Sequence, residues 1–342
     1  MSNTIEFIDI IMAALNEPQV DESTTLKPVN AAKLPKTTKT KNKKGKTDWK
    51  LAVLLPDTQI GYRRYEDGSL DPFHDINAIN VAMQVTATLE EEYGIDQIIN
   101  LGDTIDLPMF GKYAQENAFF NTVNESLKAG HDYIAGQRAI SPNAEIVFIE
   151  GNHDCRLVRY VGLNAMASSR MKQIGSDTPV MSIPHLLRFD DIGVTYVDGY
   201  PADKFWINDR LVARHGVTAN SNGSTAAKYV SKEPMYTTVY GHSHRMDLHY
   251  KTHDTLAGPV QNGAYSPGCL CRIDGAVPSV KGGIKADERP VLQYEDWQQG
   301  MGLVWYKSAG DFKGANDFSI ENIHIMDGWA VYAGTEFRST AR

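Results

Sequence analysis

Ile146-Val147-Phe148-Ile149 runs directly into Glu150-Gly151-Asn152-His153-Asp154. Four consecutive β-branched or aromatic apolar residues predict a strand buried on both faces, as strands of parallel sheets are. The residues that follow suit no core. They deliver an amide oxygen, an imidazole and a carboxylate to the carboxyl end of a strand, where open α/β sheets bind their ligands. Alone, the tetrapeptide Gly151 to Asp154 also fits a polar turn with an incidental histidine. Its company elsewhere in the chain decides between the two.

Outward from this strand the same arrangement recurs. Lys50 to Leu55 predicts a buried strand that ends in Pro56-Asp57-Thr58-Gln59, and Gln97 to Leu101 predicts one that ends in Gly102-Asp103-Thr104-Ile105-Asp106. Downstream, Arg210 to Ala213 runs into Arg214-His215-Gly216, and Thr237 to Tyr240 into Gly241-His242-Ser243-His244. Helices are predicted over about 75–93 and through much of 112–137, so strand, acidic turn and helix alternate. Val194 to Val197 predicts another strand. Period-two stretches at 302–306, 320–325 and 329–332 predict antiparallel strands completing a second sheet.

The chain has 342 residues, 42% hydrophobic and 22% charged, which describes a soluble globular protein with room for a large core. No apolar run approaches the roughly 18 residues that a membrane span needs. The first residues lack a basic start and a cleavage site, so the expectation is a cytoplasmic protein with no membrane contact. Three cysteines, two of them at 269 and 271, do not make a disulfide framework, and only Cys155 is expected near the chemistry.

Residues 1–16 carry Ile5, Ile8, Ile11, Met12 and Leu15 at helical spacing and predict a short amphipathic helix. Residues 17–47 are rich in Pro, Thr and Lys and predict a flexible linker, leaving 48–342 as the folded body, so 1–47 is expected to be dispensable for folding. Taking the eight lysines of 27–46 out of the formal charge of −8 leaves −16 on the remainder. That basic stretch is either a solvated tether or a contact for polyanions.

Carboxylates, an asparagine amide and imidazoles are the donors of hard to borderline divalent ions, and the absence of clustered thiolates at the strand ends argues against a structural zinc site. Enough donors exist for two ions. Two ions about 3.5–4 Å apart can polarise a phosphoryl group, generate hydroxide and stabilise both oxygens of an in-line displacement.

Together these motifs resemble those of the calcineurin-like metallophosphoesterases: Asp-x-His, Gly-Asp-x-x-Asp, Gly-Asn-His-Asp/Glu, His, and Gly-His-x-His. The resemblance runs from about Trp49 to Arg272 and includes Ser266-Pro267-Gly268. It implies an α/β fold of two packed mixed β-sheets flanked by helices, with a dinuclear site at the strand ends. It further implies that Asp103 bridges two ions, that Asp57, Gln59 and His244 serve one, and that Asn152, His215 and His242 serve the other. His153 would contact substrate as an acid or a charge stabiliser, with Asp154 orienting it. Arg156, two residues on, is expected to clamp a phosphate oxygen, and Arg245 has a weaker version of that role. Asp106 is expected to support ligands and not to be one. Arg159, Arg170 and Lys172 fall in a segment without acids from Cys155 to Ser176, either a solvated face or further phosphate contacts.

Gln59 departs from the pattern, because the family has histidine there. An amide oxygen ligates more weakly than imidazole, which favours manganese or magnesium over iron or zinc, with manganese preferred. The alternative is a Gln59 that does not ligate, with His74 or a water in its place. The stretch Asp57 to Arg63 is most similar to the first motif of SbcD-type DNA repair nucleases. The expected activity is therefore a phosphodiesterase acting on DNA or RNA, with a phosphomonoesterase, or a metal-binding scaffold, as the competing readings.

Overall fold

The computed structural model describes residues 2–16, 31–32, 34, 48–111, 115–220, 224–256, 258–279, 283–308 and 317–341. The basic stretch 27–46 and most of the expected linker lie outside these residues. In chain order the elements are α1 (Ser2–Asn16), β1 (Lys50–Leu55), β2 (Tyr62–Arg64), β3 (Leu70–Pro72), α2 (Ile76–Glu92), β4 (Gln97–Asn100), α3 (Val123–Ile140) and β5 (Glu145–Ile149). There follow α4 (Arg156–Asn164), α5 (Ile183–Leu186), α6 (Phe189–Ile192), β6 (Val194–Val197), β7 (Phe205–Asn208), β8 (Leu211–Arg214), α7 (Thr225–Lys232) and β9 (Thr237–Tyr240). The chain ends in β10 (Met246–His253), β11 (Val260–Pro267), β12 (Gln299–Tyr306), β13 (Phe318–Ile325), β14 (Trp329–Tyr332) and β15 (Thr335–Arg338).

This is an α/β fold with two mixed sheets. One has six strands in the order β13-β12-β1-β4-β5-β6, and the other has five in the order β10-β11-β9-β8-β7. In the first, β1, β4, β5 and β6 run parallel; in the second, β8, β9 and β11 do. The inner faces of the two sheets pack on each other through Ala52, Leu54, Ile99, Val147 and Ile149 on one side and Ile207, Leu211, Ala213 and Val239 on the other. Because the central strands β1, β4 and β5 are buried on both faces, they carry apolar runs where half-exposed strands such as β13 alternate.

The last strands correct an expectation. β12 and β13 complete the first sheet, with β12 antiparallel to β1 from Lys50↔Tyr306 to Leu54↔Gly302, and β14 pairs only with β15. The second sheet is built instead around β10 and β11, an eight-residue antiparallel pair, and β7. The second long helix is also shifted. α3 begins at Val123, and residues 115–122 form a loop with a single 3₁₀ turn at Asn117–Phe119.

The outer face of the first sheet is covered by α1, α2 and α3. α2 starts where Asp75 accepts a hydrogen bond from the Ala78 N–H at 3.0 Å, an N-cap. α1 packs on α3 and α2 and buries Ile8, Ile11, Met12 and Leu15 in the main core. Gly136 of α3 makes this possible, since a Cβ there would collide with the Ile11 side chain. The Leu15 carbonyl accepts from the buried Tyr62 hydroxyl at 2.6 Å and faces His74 Nε2 at 3.1 Å. Beyond α1, the Ala32 N–H donates to His131 Nε2 at 3.1 Å and Leu34 rests against the same core. The helix is thus part of the core, and the expectation that residues 1–47 can be removed without loss of stability does not fit this packing. No described helix is long and apolar enough to cross a membrane.

Candidate metal centre

Strand direction assembles the site. β1, β4 and β5 of one sheet and β8 and β9 of the other deliver Asp57, Asp103, Asn152, His215 and His242 at their carboxyl ends. Past the strands the turns stay stitched together. Gln59 N–H donates to the Asp103 carbonyl at 2.9 Å, Asp106 N–H to Ile60 at 2.8 Å, and Gly241 N–H to His215 at 2.9 Å.

The local backbone is held under strain. Asp57, Gln59, Asp103, His242 and His244 all have left-handed φ, at 37°, 55°, 48°, 67° and 56°. Such conformations cost on the order of 1–3 kcal/mol each for residues other than glycine and gather where function requires them. Gly151 is required for a different reason: a Cβ there would collide with the Asp103 carboxylate and its backbone nitrogen.

Two clusters of ligand-type atoms form around Asp103. Asp57, Asp103 and His244 make one, and Asp103, His215 and His242 make the other, with the donor atoms of each within 4.8 Å of one another. Asp57 Oδ1 lies 3.2 Å from His244 Nε2, and Asp103 Oδ2 lies 3.2 Å from His215 Nε2. Asn152 Oδ1 is 3.1 Å from the same His215 nitrogen, and His242 Nδ1 is 3.3 Å from it. The Asp57 carboxylate also accepts the His242 N–H at 2.9 and 3.0 Å, and Asp103 Oδ1 accepts the His153 N–H at 2.7 Å.

Gln59 points into the first cluster. Its Nε2 is 3.4 Å from both Asp103 Oδ2 and His244 Nε2, and its Oε1 is buried with no hydrogen-bond partner. A half-turn about the last side-chain torsion would exchange the two ends and turn that orphaned oxygen toward the cluster, so the donor set fits a hard or borderline cation. His74 does not substitute for it. That ring is buried against the end of α1 and edge-on to Tyr62, with centroids 5.1 Å apart.

The electrostatics point the same way. Burial alone would raise the Asp103 carboxyl, yet the His153 and His215 imidazoles hold it well below the usual range. Burial would lower His215, but Asp103 and Asp57 push it up to about 9. His242 is pushed down to about 4 by burial and by neighbouring His215. Two buried carboxylates this close demand positive charge, and a protonated His215 or a divalent cation answers the same need.

Support for His153 differs from the expectation. Asp154 does not orient the ring: its carboxylate accepts the Gly151 N–H at 2.8 Å and the Ile105 N–H at 3.1 Å, bracing the two turns on each other. Burial and the charge of Asp103 raise Asp154 to about 7. The carboxylate beside the ring is that of Asp106, whose Oδ2 lies 3.0 Å from Nδ1 without hydrogen-bond geometry. Asp106 also takes the Arg156 guanidinium in a buried ion pair, and Arg156 Nη2 lies 3.1 Å from His153 Nε2. Arg156 is therefore at the site but engaged by Asp106. Arg245 is tied to Asp296 at 3.0 Å and to the Asn220 carbonyl at 2.7 Å.

Three features were not visible in the motifs. Trp297 packs against His244 with ring centroids 4.1 Å apart. Tyr200 lies 5.7 Å from the His215 ring, with the Arg159 guanidinium 5.5 Å above its own. Cys271 Sγ lies 3.7 Å from His244 Nδ1, so Cys155 is not the only thiol near the chemistry. Only the aromatic character of the loop 291–298 hinted at the first. No protein-family model and no curated protein sequence matches the chain. Among solved structures it is similar to a nuclease MPE from Pseudomonas putida, with 17% identity and a TM-score of 0.26 over 62% of this chain and 73% of that one.

Proposed function

We propose that the chain is a dinuclear, metal-dependent phosphoester hydrolase of the calcineurin-like kind, its catalytic body spanning 48–342 with α1 docked on it. The observation that carries this reading is that Asp103 belongs to both Asp/His clusters. In this reading Asp57, Gln59 and His244 share Asp103 with Asn152, His215 and His242, and manganese suits the mixed oxygen and imidazole donors. Two such ions, when bound, supply Lewis acidity toward a phosphoryl oxygen and activate water.

The chain's own residues do the rest. His153 lies outside both clusters, with Nε2 3.7 Å from Asp103 Oδ2, where it faces a phosphate but is not needed as a ligand. A guanidinium only donates, so in this arrangement Arg156 occupies Nε2, while Nδ1 lies 3.0 Å from Asp106 Oδ2 without hydrogen-bond geometry. His153 therefore acts as a general acid only after Nε2 takes up a proton and Arg156 turns to the phosphate. Asp106 positions both groups.

A nucleic-acid phosphodiester is the substrate class we favour. Arg159 over Tyr200 forms a cationic and aromatic ledge beside His215, and exposed Arg170 and Lys172 continue a stretch free of acids from Cys155 to Ser176. The test is a manganese-loaded substrate panel of single- and double-stranded DNA, RNA, cyclic nucleotides, a phosphomonoester and a phosphopeptide. Cleavage of nucleic acid is expected. A preference for the phosphomonoester would replace this reading with a phosphatase, and no hydrolysis of any member would favour a scaffold.

A further inference from the structure

Cys269-Leu270-Cys271 bends at Leu270 between two isolated bridges, Cys269 to Gln299 and Cys271 to His74. Leu270 enters the main core, while Cys269 and Cys271 enter a small apolar cluster with Phe73, Phe119 and Val277. Both thiols are free and fully buried. Free buried cysteines usually serve as small apolar side chains. This pair differs in having an imidazole within reach: the two sulfurs and a His244 ring nitrogen lie within 4.8 Å of one another, and Nδ1 is 3.7 Å from Cys271 Sγ.

We infer that Cys269, Cys271 and His244 Nδ1 form a site for one thiophilic cation, of the zinc, cadmium or copper(I) class, behind the candidate metal centre. Two thiolates and one imidazole are the donor set such ions prefer over manganese or magnesium. The site uses the nitrogen of His244 that faces away from Asp57, so it does not depend on the phosphoesterase reading. On binding, each sulfur gives up its proton to solvent as its bond to the cation forms, and where Nε2 also serves a cation in the Asp57 cluster the Nδ1 proton of His244 leaves to solvent too, making the ring a bridging imidazolate. The Gln298 carbonyl, 3.6 Å from Cys269 Sγ, is the oxygen at hand for a fourth position.

The experiment uses the reduced full-length chain with one equivalent of zinc in excess manganese. X-ray absorption at the zinc edge should show two sulfur neighbours at about 2.3 Å. Cys155 by itself contributes at most one sulfur, so the count of two is diagnostic in the unsubstituted protein. Cadmium in place of zinc should produce a thiolate charge-transfer band that survives Cys155→Ser and disappears in Cys269→Ser with Cys271→Ser. A shell of nitrogen and oxygen alone, or a single sulfur, would overturn the inference, as would a band that persists in a folded double variant. Should the double variant not fold, the sulfur count decides alone.

Discussion

The two halves of the candidate centre rest on different supports. His215 is held from behind by the backbone: its Nδ1 faces the Leu101 carbonyl at 2.9 Å, at the end of a central strand. His244 is held by side chains, with Cys271 behind it, Trp297 packed edge-to-face with it and Gln59 beside it. A ligating imidazole usually gives its second N–H to a carbonyl or carboxylate, which fixes the ring and raises its basicity. The His215 half has that arrangement, and the His244 half has a thiol in its place. If the clusters hold cations as proposed, affinity would be set by the sheet in one half and by substitutable side chains in the other.

Removing the shared group tests whether the halves form one centre at all. Asp103→Ala should lose both cations, and hydrolysis should fall by roughly 10³-fold or more, since several kcal/mol of charge stabilisation go with them. Metal analysis beside a phosphodiesterase assay would check it, and retention of either ion would mean that Asp103 bridges nothing. His153→Asn should keep both ions and lower the rate by roughly 10²–10⁴-fold, the usual worth of an acid or charge stabiliser. An alkyl ester should suffer more than a nitrophenyl ester, because a poor leaving group needs the proton more. Equal losses would leave His153 with charge stabilisation only.

How much of this was legible in the sequence follows from distance along the chain. Asp57, Asp103, Asn152, His215, His242 and His244 each sit just beyond a strand, so a local pattern of apolar run and polar turn located them. The sheet to which β12 belongs was not legible: Lys50↔Tyr306 joins residues far apart in sequence, and period-two alternation names no partner. Asp154 is the next residue after His153 whereas Asp106 follows a different strand, β4, so sequence proximity favoured Asp154 and only the crossing of the two turns brings Asp106 to Nδ1. The apolar spacing of α1 announced a helix that docks on something, without showing against what.

α1 bears on the weaker half, because His74 touches Leu15 at one end and bridges Cys271 at the other. Leu15→Ala should cost about 2–5 kcal/mol, the usual range for a fully buried leucine, read by urea unfolding. A loss near zero would restore the view of α1 as an appendage. Burial lowers His74 from 6.5 to about 4. The folded state thus favours its neutral form, so this stability is complete above pH 6.5 and is lost as pH falls toward 4. The loss should be about 3 kcal/mol, and His74→Gln should flatten that part of the stability profile. An unchanged profile would show that another group carries the acid sensitivity.

The smallest expected effect isolates Gln59. With Oε1 buried and unpartnered, and Nε2 3.4 Å from both Asp103 and His244, the amide needs only a half-turn to offer its oxygen to a cation in the Asp57 half. Gln59→Ala removes that donor and should weaken one of two binding phases by about tenfold, or about 1.4 kcal/mol, leaving the other phase in place. Gln59→His supplies an imidazole and should strengthen the same phase by a similar factor, bringing the halves closer to parity. Calorimetric titration of manganese into metal-stripped protein would resolve the phases. If Gln59→Ala left both unchanged, the amide would not be a ligand, and the difference between the halves would lie wholly in what stands behind His244.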